Sequence, residues 1–306
     1  MGRAMQLPGD NPTLEKLPKL TFTKAGYTYT VETRGGKSLY TVTDGSRSVS
    51  LPVHWGFGKA AQTWVLERDG KFYESMVSYY PSISGLAITT GDETLAPHTV
   101  EEALGRELAA PEIKACFGCH ASNTFTNGRL SLPSLQPGLT CEHCHAGASS
   151  HLLDAIQGQN PSALPDLRKL SSEEISNFCG QCHRAWDVVI RSSWRGPVNV
   201  RFQPYRLANS RCYDGADPRI SCLACHDPHQ DVVRDDSTYD AKCLACHAPK
   251  SPTTAASDAK DAPKSCPVAK ANCVSCHMPK VELPNGLISF TDHQIRIVRP
   301  GAPYPN

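Results

Sequence analysis

Side chains alternate between apolar and polar along residues 20–90, and this pattern predicts short β-strands. Five such segments follow one another: residues 27–31, 38–42, 47–51, 62–66 and 72–77. Turn residues separate them, and Asp69 with Gly70 between the last two is a strong hairpin signal. The pattern therefore predicts a small antiparallel sheet, and we assign residues 21–97 to this β-rich region.

Other parts of the chain follow different patterns. Apolar residues recur with helical spacing over residues 99–114, and a serine with two glutamates at 171–174 predicts the start of another helix. Residues 1–20 contain three prolines and little periodicity, so we expect an extended arm. Residues 249–271 have the composition of a loop, and residues 299–306, with three prolines, predict an extended tail.

The pattern Cys-x-x-Cys-His occurs six times between residues 116 and 277. It is the attachment signature of haem c, because two thiols add to the porphyrin vinyl groups and the next histidine is the proximal iron ligand. The predicted haem-binding cysteines are Cys116, Cys119, Cys141, Cys144, Cys179, Cys182, Cys222, Cys225, Cys243, Cys246, Cys273 and Cys276. The predicted proximal ligands are His120, His145, His183, His226, His247 and His277.

Paired cysteines also occur in zinc sites and in disulfide frameworks. Zinc sites use pairs of cysteines, but zinc does not require a histidine directly after the second one. A disulfide framework leaves the six histidines unexplained as well. The sequence thus predicts six haem c groups, each with one iron, as the cofactors.

Six porphyrins in this part of the chain lead to a prediction of the fold. Hydrophobic residues are 40% of the chain and aromatic residues 7%, so we expect the macrocycles to fill much of the interior. The predicted fold class is a haem-dominated multihaem cytochrome. In it a small N-terminal antiparallel β-sheet region precedes short helices and long loops around six c-type haems, over residues 98–298.

The histidine count matches two axial ligands for each of six irons, since the chain has 12 histidines. The candidates for distal ligands are His54, His98, His143, His151, His229 and His293. His143 lies within its own motif, so we expect it to reach only a neighbouring iron. Two cysteines remain outside the motifs, Cys212 and Cys266, and they are candidates for a disulfide in an exported protein.

Charge and hydropathy limit the partners. The net charge of +1 provides no long-range attraction to nucleic acid, and the basic, aromatic stretch 191–210 is interpreted as a source of partners for haem propionates. No run of 18 apolar residues predicts a transmembrane segment. Cytochromes of this kind receive haem outside the cytoplasmic membrane. We therefore expect a periplasmic or extracellular protein whose leader has already been removed.

Three segments resemble known multihaem cytochromes. Residues 273–280, followed by Thr291, Asp292 and His293, resemble the last haem segment of pentahaem cytochrome c nitrite reductases. That resemblance implies that His293 is a distal ligand. Residues 144–151 and 225–229 resemble cytochrome c554-type proteins, in which a histidine shortly after the motif binds a neighbouring haem. The nitrite reductases hold their catalytic haem with CxxCK, which this sequence lacks.

These observations predict electron transfer through closely spaced, mostly bis-histidine haems, with no catalytic residue assigned. The protein is expected to act as a carrier or as a subunit of an extracellular cytochrome filament. Its partners are then other redox proteins or its own copies arranged head to tail. The alternative is a reductase of nitrite, hydroxylamine or a related small oxyanion. It requires one open haem, whose distal candidate among His54, His98 and His143 does not bind.

Overall fold

An antiparallel sheet forms the centre of Met1–Pro165, the first of two units into which the chain divides. The second unit is Asp166–Asn306 and consists mainly of short helices. The structure is a computed structural model that describes residues 1–192, 194–248, 266–299 and 301–305. Residues 249–265 of the predicted loop lie outside the described residues.

The first unit contains fourteen strands and five α-helices within its described residues. The strands are β1 (Met5–Gln6), β2 (Lys19–Lys24), β3 (Tyr27–Arg34), β4 (Lys37–Thr43), β5 (Ser48–Phe57), β6 (Thr63–Arg68), β7 (Lys71–Ser75), β8 (Val77–Tyr80), β9 (Gly85–Ile88), β10 (Gly105–Glu107), β11 (Ala121–Ser122), β12 (Phe125–Thr126), β13 (Arg129–Leu130) and β14 (Gln136–Pro137). The helices are α1 (Pro12–Lys16), α2 (Val100–Ala103), α3 (Ala110–His120), α4 (Cys141–Cys144) and α5 (Ala148–Ile156).

The main sheet has eight strands in the order β10-β7-β6-β5-β4-β3-β2, with β1 added to β5. Its neighbours are all antiparallel, as the hairpin signals predict. One face is buried because alternate side chains point to it, and Tyr29, Tyr40 and Trp64 lie next to one another across three strands. All five predicted strand segments are present, in β3 to β7.

The predicted fold class is wrong, because the first unit is a sizeable sheet with a protein core of its own. The aromatic content averaged over the whole chain was misleading. More than half of the chain's Phe, Trp and Tyr residues lie before residue 126, so the average is lower than the aromatic content of the first unit's core. Two strands, β1 and β10, are too short to show alternation and are defined only by their long-range pairing.

The helix predicted over residues 99–114 is also wrong, since the chain forms α2, then β10, then α3. Gly105 has φ +149°, and a Cβ there would lie 1.9 Å from the carbonyl oxygen of Glu74. Only glycine allows this close approach to β7, so the helical spacing is interrupted by a strand.

Residues 1–20, which the sequence predicts to be an extended arm, contain β1 and α1. The side chain of Asn11 accepts hydrogen bonds from the backbone N–H groups of Thr13 and Leu14 and so caps α1. Leu14 is fully buried in the sheet core. Asn11 also donates to Gln62 Oε1 at 2.7 Å, so this segment packs on the sheet.

Short helices make up the second unit. They are α6 (Ser172–His183), α7 (Trp186–Arg191), α8 (Gln203–Ala208), α9 (Cys222–Cys225), α10 (Asp240–His247) and α11 (Cys273–His277), with the strands β15 (Lys280–Glu282) and β16 (Ser289–Thr291). The predicted start of α6 is confirmed: Ser171 caps it, and the Glu174 carboxylate accepts from the Ser171 N–H at 2.7 Å. No helix in the described parts of either unit has the length and apolar character needed to cross a membrane.

A buried ion pair joins α8 to the C-terminal segment of the second unit. Both Arg206 and Asp292 are fully buried, and the guanidinium binds the carboxylate through two bonds of 2.8 and 2.9 Å. Arg206 also donates to the carbonyl oxygen of Pro305 at 2.8 Å and lies over the ring of Tyr304. The C-terminal residues thus pack against α8 within their own unit.

A second charged cluster lies beside the sheet of the first unit. Arg106 binds Glu74 at 2.7 Å and Glu112, and its Nε lies 3.6 Å from Asp92. Burial raises the pKa of Asp92 from 3.8 to about 6; the carboxylates of Glu74, Glu93 and Glu112 raise it further, while Arg106 opposes them. Ionised Asp92 is therefore less favourable in the fold than in the unfolded chain.

We expect Asp92→Asn to stabilise the first unit at neutral and alkaline pH. Native Asp92 holds its proton up to about pH 6, so the stability that the protonated form contributes is lost as pH rises from about 4 to 6. After allowance for solvent screening, the substitution should raise the free energy of unfolding by about 1–2 kcal/mol at about pH 8. The gain should vanish near pH 4. Urea unfolding followed by circular dichroism measures it.

The matched control is Asp69→Asn in the exposed turn between β6 and β7, which should change the free energy of unfolding by less than about 0.5 kcal/mol. A gain for Asp92→Asn that is equally large at acid pH would contradict the explanation by burial.

Candidate haem-binding sites

All six Cys-x-x-Cys-His motifs lie on helical turns. They occupy the ends of α3 and α6, the whole of α4, α9 and α11, and the end of α10. Residues three apart lie on the same side of a helix, so both thiols of each motif leave one face. Each motif therefore has the local geometry needed to meet two vinyl groups of one rigid ring.

Backbone carbonyl groups hold three of the motif histidines in one tautomer. Nδ1 lies 2.8 Å from the Ala4 oxygen in His120, 2.9 Å from the Arg296 oxygen in His277 and 3.2 Å from the Pro165 oxygen in His145. A carbonyl can only accept, so Nδ1 must carry the proton and Nε2 the lone pair. This is the arrangement that second-sphere partners give to iron-binding histidines.

The first motif is packed on the main sheet. Phe117, the residue after Cys116, is fully buried, with ring centroids 5.2 Å from Trp55, 5.4 Å from Phe57 and 5.9 Å from Phe72. Burial lowers the pKa of His120, which keeps the imidazole in the neutral form that binds metal. The sheet thus supports the first predicted haem site directly.

The second motif is tied to the first. The Gly138 N–H donates to the His120 carbonyl oxygen at 3.1 Å, and the Thr140 N–H donates to Ser122 Oγ at 3.0 Å. These bonds and the pairing of β11 with β14 join the end of the first motif to the start of the second.

The four motifs of the second unit are neighbours in sequence order. A hydrogen bond connects Cys179 with Cys222, raising the pKa of the former and lowering that of the latter. The Tyr239 hydroxyl, just before α10, lies 3.4 Å from Nδ1 of His226, and Cys243 is hydrogen bonded to Cys273. The third, fourth, fifth and sixth motifs are therefore neighbours in the order in which they occur in the chain.

A carboxylate adds to the contact between the last two motifs. Asp240, the first residue of α10, accepts the backbone N–H groups of Asn272 at 2.7 Å and Cys273 at 2.8 Å. These are donors at the start of α11 that its own helical bonds leave unsatisfied. Asp240 therefore holds the sixth motif against the fifth.

One distal candidate is placed against a motif histidine. The ring centroids of His293 and His226 are 6.2 Å apart. Burial lowers the pKa of His293 to about 4, with smaller contributions from His226 and His183, so the ring is neutral and able to bind iron. Its Nδ1 lies 3.0 Å from the Thr291 oxygen.

The other five distal candidates lie at or near the surface. His54 is exposed on β5 beside Trp55, and His98 is exposed just before α2. His143 is exposed on α4, and His151 is half-buried in α5 with its Nδ1 2.8 Å from the Ser162 oxygen. His229 is exposed and approaches the Asp227 carboxylate at 3.2 Å.

Several arginines of the stretch that is predicted to bind haem propionates are hydrogen bonded to groups of the protein. Arg206 binds Asp292, Arg191 binds Asp187, and Arg195 donates to the carbonyl oxygens of Ser192 and Trp194. The two cysteines outside the motifs, Cys212 and Cys266, are both free thiols. Burial raises the pKa of Cys212, and its pairing with Cys266 stays a prediction.

Apolar side chains next to the motifs also fit a porphyrin. Seven large ones are strongly exposed, and they follow the second, third and fourth motifs: Leu152, Leu153, Ile156, Trp186, Ile190, Val232 and Val233. Together with paired thiols on helical turns and histidines that present Nε2, these surfaces suit haem c. Within the ranges that the structure describes, no group of three or more His, Cys, Asp or Glu side chains is arranged to hold a metal ion by itself.

Two protein families match parts of the chain. Residues 88–146, which contain the first two motifs, match the family of cytochrome c554 and c-prime. Residues 215–284, which contain the last three, match the cytochrome c3 family. The chain is a multihaem c-type cytochrome. No curated protein and no solved structure matches it.

These matches confirm the resemblance to cytochrome c554-type proteins, whereas the resemblance to nitrite reductases stays a prediction. A multihaem cytochrome of these families binds haem c, with its iron, and transfers electrons. Such cytochromes are typically exported, and their partners are redox proteins.

Several residues that support the motifs of this cytochrome were not predicted from the sequence. Phe117 lies inside a motif and Asp240 lies close to one, so their positions in the sequence could have identified them. Asp292 is part of the Thr-Asp-His segment, but nothing local connects it with Arg206, 86 residues away. Ser210, which binds the His293 carbonyl oxygen and the Ile295 N–H, has no sequence signal.

We expect Phe117→Ala to destabilise the first unit of the cytochrome by about 3–5 kcal/mol, because it removes a fully buried ring from between three aromatic side chains. Urea unfolding followed by circular dichroism measures the loss. Leu223→Ala, at the same position of the fourth motif but only half-buried, is the control and should cost much less. Equal losses in both variants would show that Phe117 has no special role in joining motif and sheet.

Proposed function

We propose that this cytochrome transfers electrons through six closely spaced haem c groups and carries them between redox partner proteins. The observation that carries the proposal is that successive motifs of the second unit are neighbours. Cys179 is hydrogen bonded to Cys222, Tyr239 next to the fifth motif lies 3.4 Å from Nδ1 of His226 in the fourth, and Asp240 accepts the Cys273 N–H of the sixth at 2.8 Å. Cofactors attached at neighbouring motifs are held close together, and electron transfer requires such short separations.

The proposed role of each residue follows from its chemistry. When bound, haem c supplies a one-electron iron couple. The twelve motif cysteines hold the porphyrins, and the six motif histidines ligate the irons through Nε2. Distal histidines close the second face of most irons, so that the coordination changes little between oxidation states. His293, whose imidazole is neutral, suits this distal role.

A carrier is the form we favour over a filament subunit. Head-to-tail assembly needs surfaces that remain available to a second copy. The tail around Tyr304 and Pro305 packs against Arg206 of its own unit, and the N-terminal segment packs on its own sheet. Both proline-rich end segments are thus used for packing within the chain. We expect the carrier to act in the periplasm or outside the cell.

Intact mass spectrometry of the purified protein tests the number of cofactors. We expect the polypeptide mass plus six haems, and the same six in Cys212→Ser, because Cys212 is outside the motifs. Cys276→Ser should attach one haem through a single thioether bond. The absorption spectrum of the denatured protein in pyridine reveals this change. A colourless protein, or one that binds zinc, would contradict the proposal.

Electron paramagnetic resonance of the oxidised protein then separates the carrier from the reductase. We expect low-spin signals from every iron and no change on addition of nitrite or hydroxylamine, because imidazoles occupy both faces. A high-spin signal that disappears with nitrite, together with turnover, would instead assign the protein as a reductase with one open haem.

A further inference from the structure

We propose that His226 and His293 are the two axial ligands of one iron, that of the haem attached at Cys222 and Cys225, and that Arg206 is a positioning residue that holds His293 in place through Asp292. The assignment rests on the proposed function in one respect only, that haem c is attached at the fourth motif. It states which distal histidine serves which haem, and which buried group sets the position of that histidine.

The spacing of the two rings carries the assignment. Metal–imidazole bonds are about 2.0–2.1 Å long and the ring centroid lies about 1.1 Å beyond the nitrogen, so two imidazoles on opposite sides of one metal have centroids about 6.2–6.4 Å apart. The centroids of His226 and His293 are 6.2 Å apart. Their planes differ by 40°, which opposite ligands tolerate because each ring can rotate about its own bond to the metal.

Both rings are held in the tautomer that leaves Nε2 as the ligand atom. In His293, Nδ1 donates to the carbonyl oxygen of Thr291 at 3.0 Å. In His226, Nδ1 lies 3.4 Å from the hydroxyl oxygen of Tyr239. That hydroxyl donates its own proton to the Val233 carbonyl at 3.1 Å, so its oxygen is the acceptor for His226.

Arg206 fixes the residue before His293. Its guanidinium binds both carboxylate oxygens of Asp292, at 2.8 and 2.9 Å, and neither residue is exposed. The same guanidinium donates to Gln294 Oε1 at 2.7 Å, so it contacts the residues on both sides of His293. A bidentate pair of this kind fixes direction as well as distance, which a lysine ammonium does not.

Ser210 adds support to the backbone at and after the histidine. Its hydroxyl donates to the His293 carbonyl oxygen at 3.1 Å and accepts the Ile295 N–H at 2.8 Å. Residues 206–210 therefore hold the backbone of residues 292–295 at several points. The imidazole ring of His293, within this segment, has its centroid 6.2 Å from that of His226.

The first experiment counts open irons. In otherwise intact protein, His293→Gly and His226→Gly are each expected to convert one of the six irons to a high-spin or water-ligated form, quantified by electron paramagnetic resonance. The double variant should affect one iron and not two, because both ligands belong to the same haem. Two affected irons in the double variant would overturn the pairing.

A second experiment does not require that His226 variants receive their haem. In a background without the fourth haem, Cys222→Ala with Cys225→Ala, adding His293→Gly should open no further iron. A new high-spin signal there would assign His293 to another haem and overturn the proposal. In the wild-type background, added imidazole should restore the low-spin signal of His293→Gly.

The positioning role of Arg206 has its own readout. Arg206→Ala should leave the haem count at six but open the same iron as His293→Gly, and added imidazole should close it again. Arg206→Lys, which keeps the charge without the bidentate geometry, should restore ligation only in part. Arg191→Ala, at an exposed arginine that also pairs with an aspartate, is the control and should change nothing.

The outcomes separate this inference from the proposed function. A protein without six haems by mass refutes the proposed function itself. Six low-spin haems that persist in His293→Gly refute the pairing but leave electron transfer intact. Six low-spin haems that persist in Arg206→Ala, when His293→Gly opens one, refute only the role of Arg206.

Discussion

The constraint on which the rest of this molecule depends is that two thiols and one imidazole must meet the same rigid ring. A single helical turn satisfies it, because residues three apart share a face and the following histidine lies at the end of the turn. All six motifs have this form, although some are the last turn of a longer helix and others are a helix of only four or five residues. The motif therefore determines local structure in a way that propensity alone does not.

A helical turn does not fix its own position, and the two units solve this problem with different interactions. In the first unit the aromatic ring of Phe117 is buried against the main sheet, and the Ala4 carbonyl orients His120. In the second unit, Tyr239 contacts His226 between the fourth and fifth motifs, and Asp240 joins the fifth to the sixth. Apolar packing thus supports one set of sites and polar contacts between motifs support the other.

Local patterns in the sequence were enough for some features and not for others. Alternation predicted the strands β3 to β7, spacing predicted the motifs, and the capping pattern at Ser171 predicted the start of α6. The strand β10 could not be predicted, because it depends on the approach of Gly105 to Glu74 across about thirty residues. Averaged composition also concealed the aromatic core of the sheet. Contacts such as that between Arg206 and Asp292 leave no periodic signal at all.

The buried pair of Arg206 and Asp292 has a high desolvation cost, which stability alone does not justify. Removing two charges from water costs several kcal/mol for each ion, and an apolar pair of similar volume often does as well. An apolar pair would still hold the C-terminal segment on α8, but it would permit small rotations and shifts of that segment. Two parallel hydrogen bonds from Arg206, a third to Gln294 and the contacts of Ser210 exclude such shifts at residues 292–295. Under the proposed pairing, His293 must stay on one side of a particular iron, and this requires a fixed direction more than additional stability. The proposal therefore accounts for a charged pair at a place where an apolar contact would fill the space.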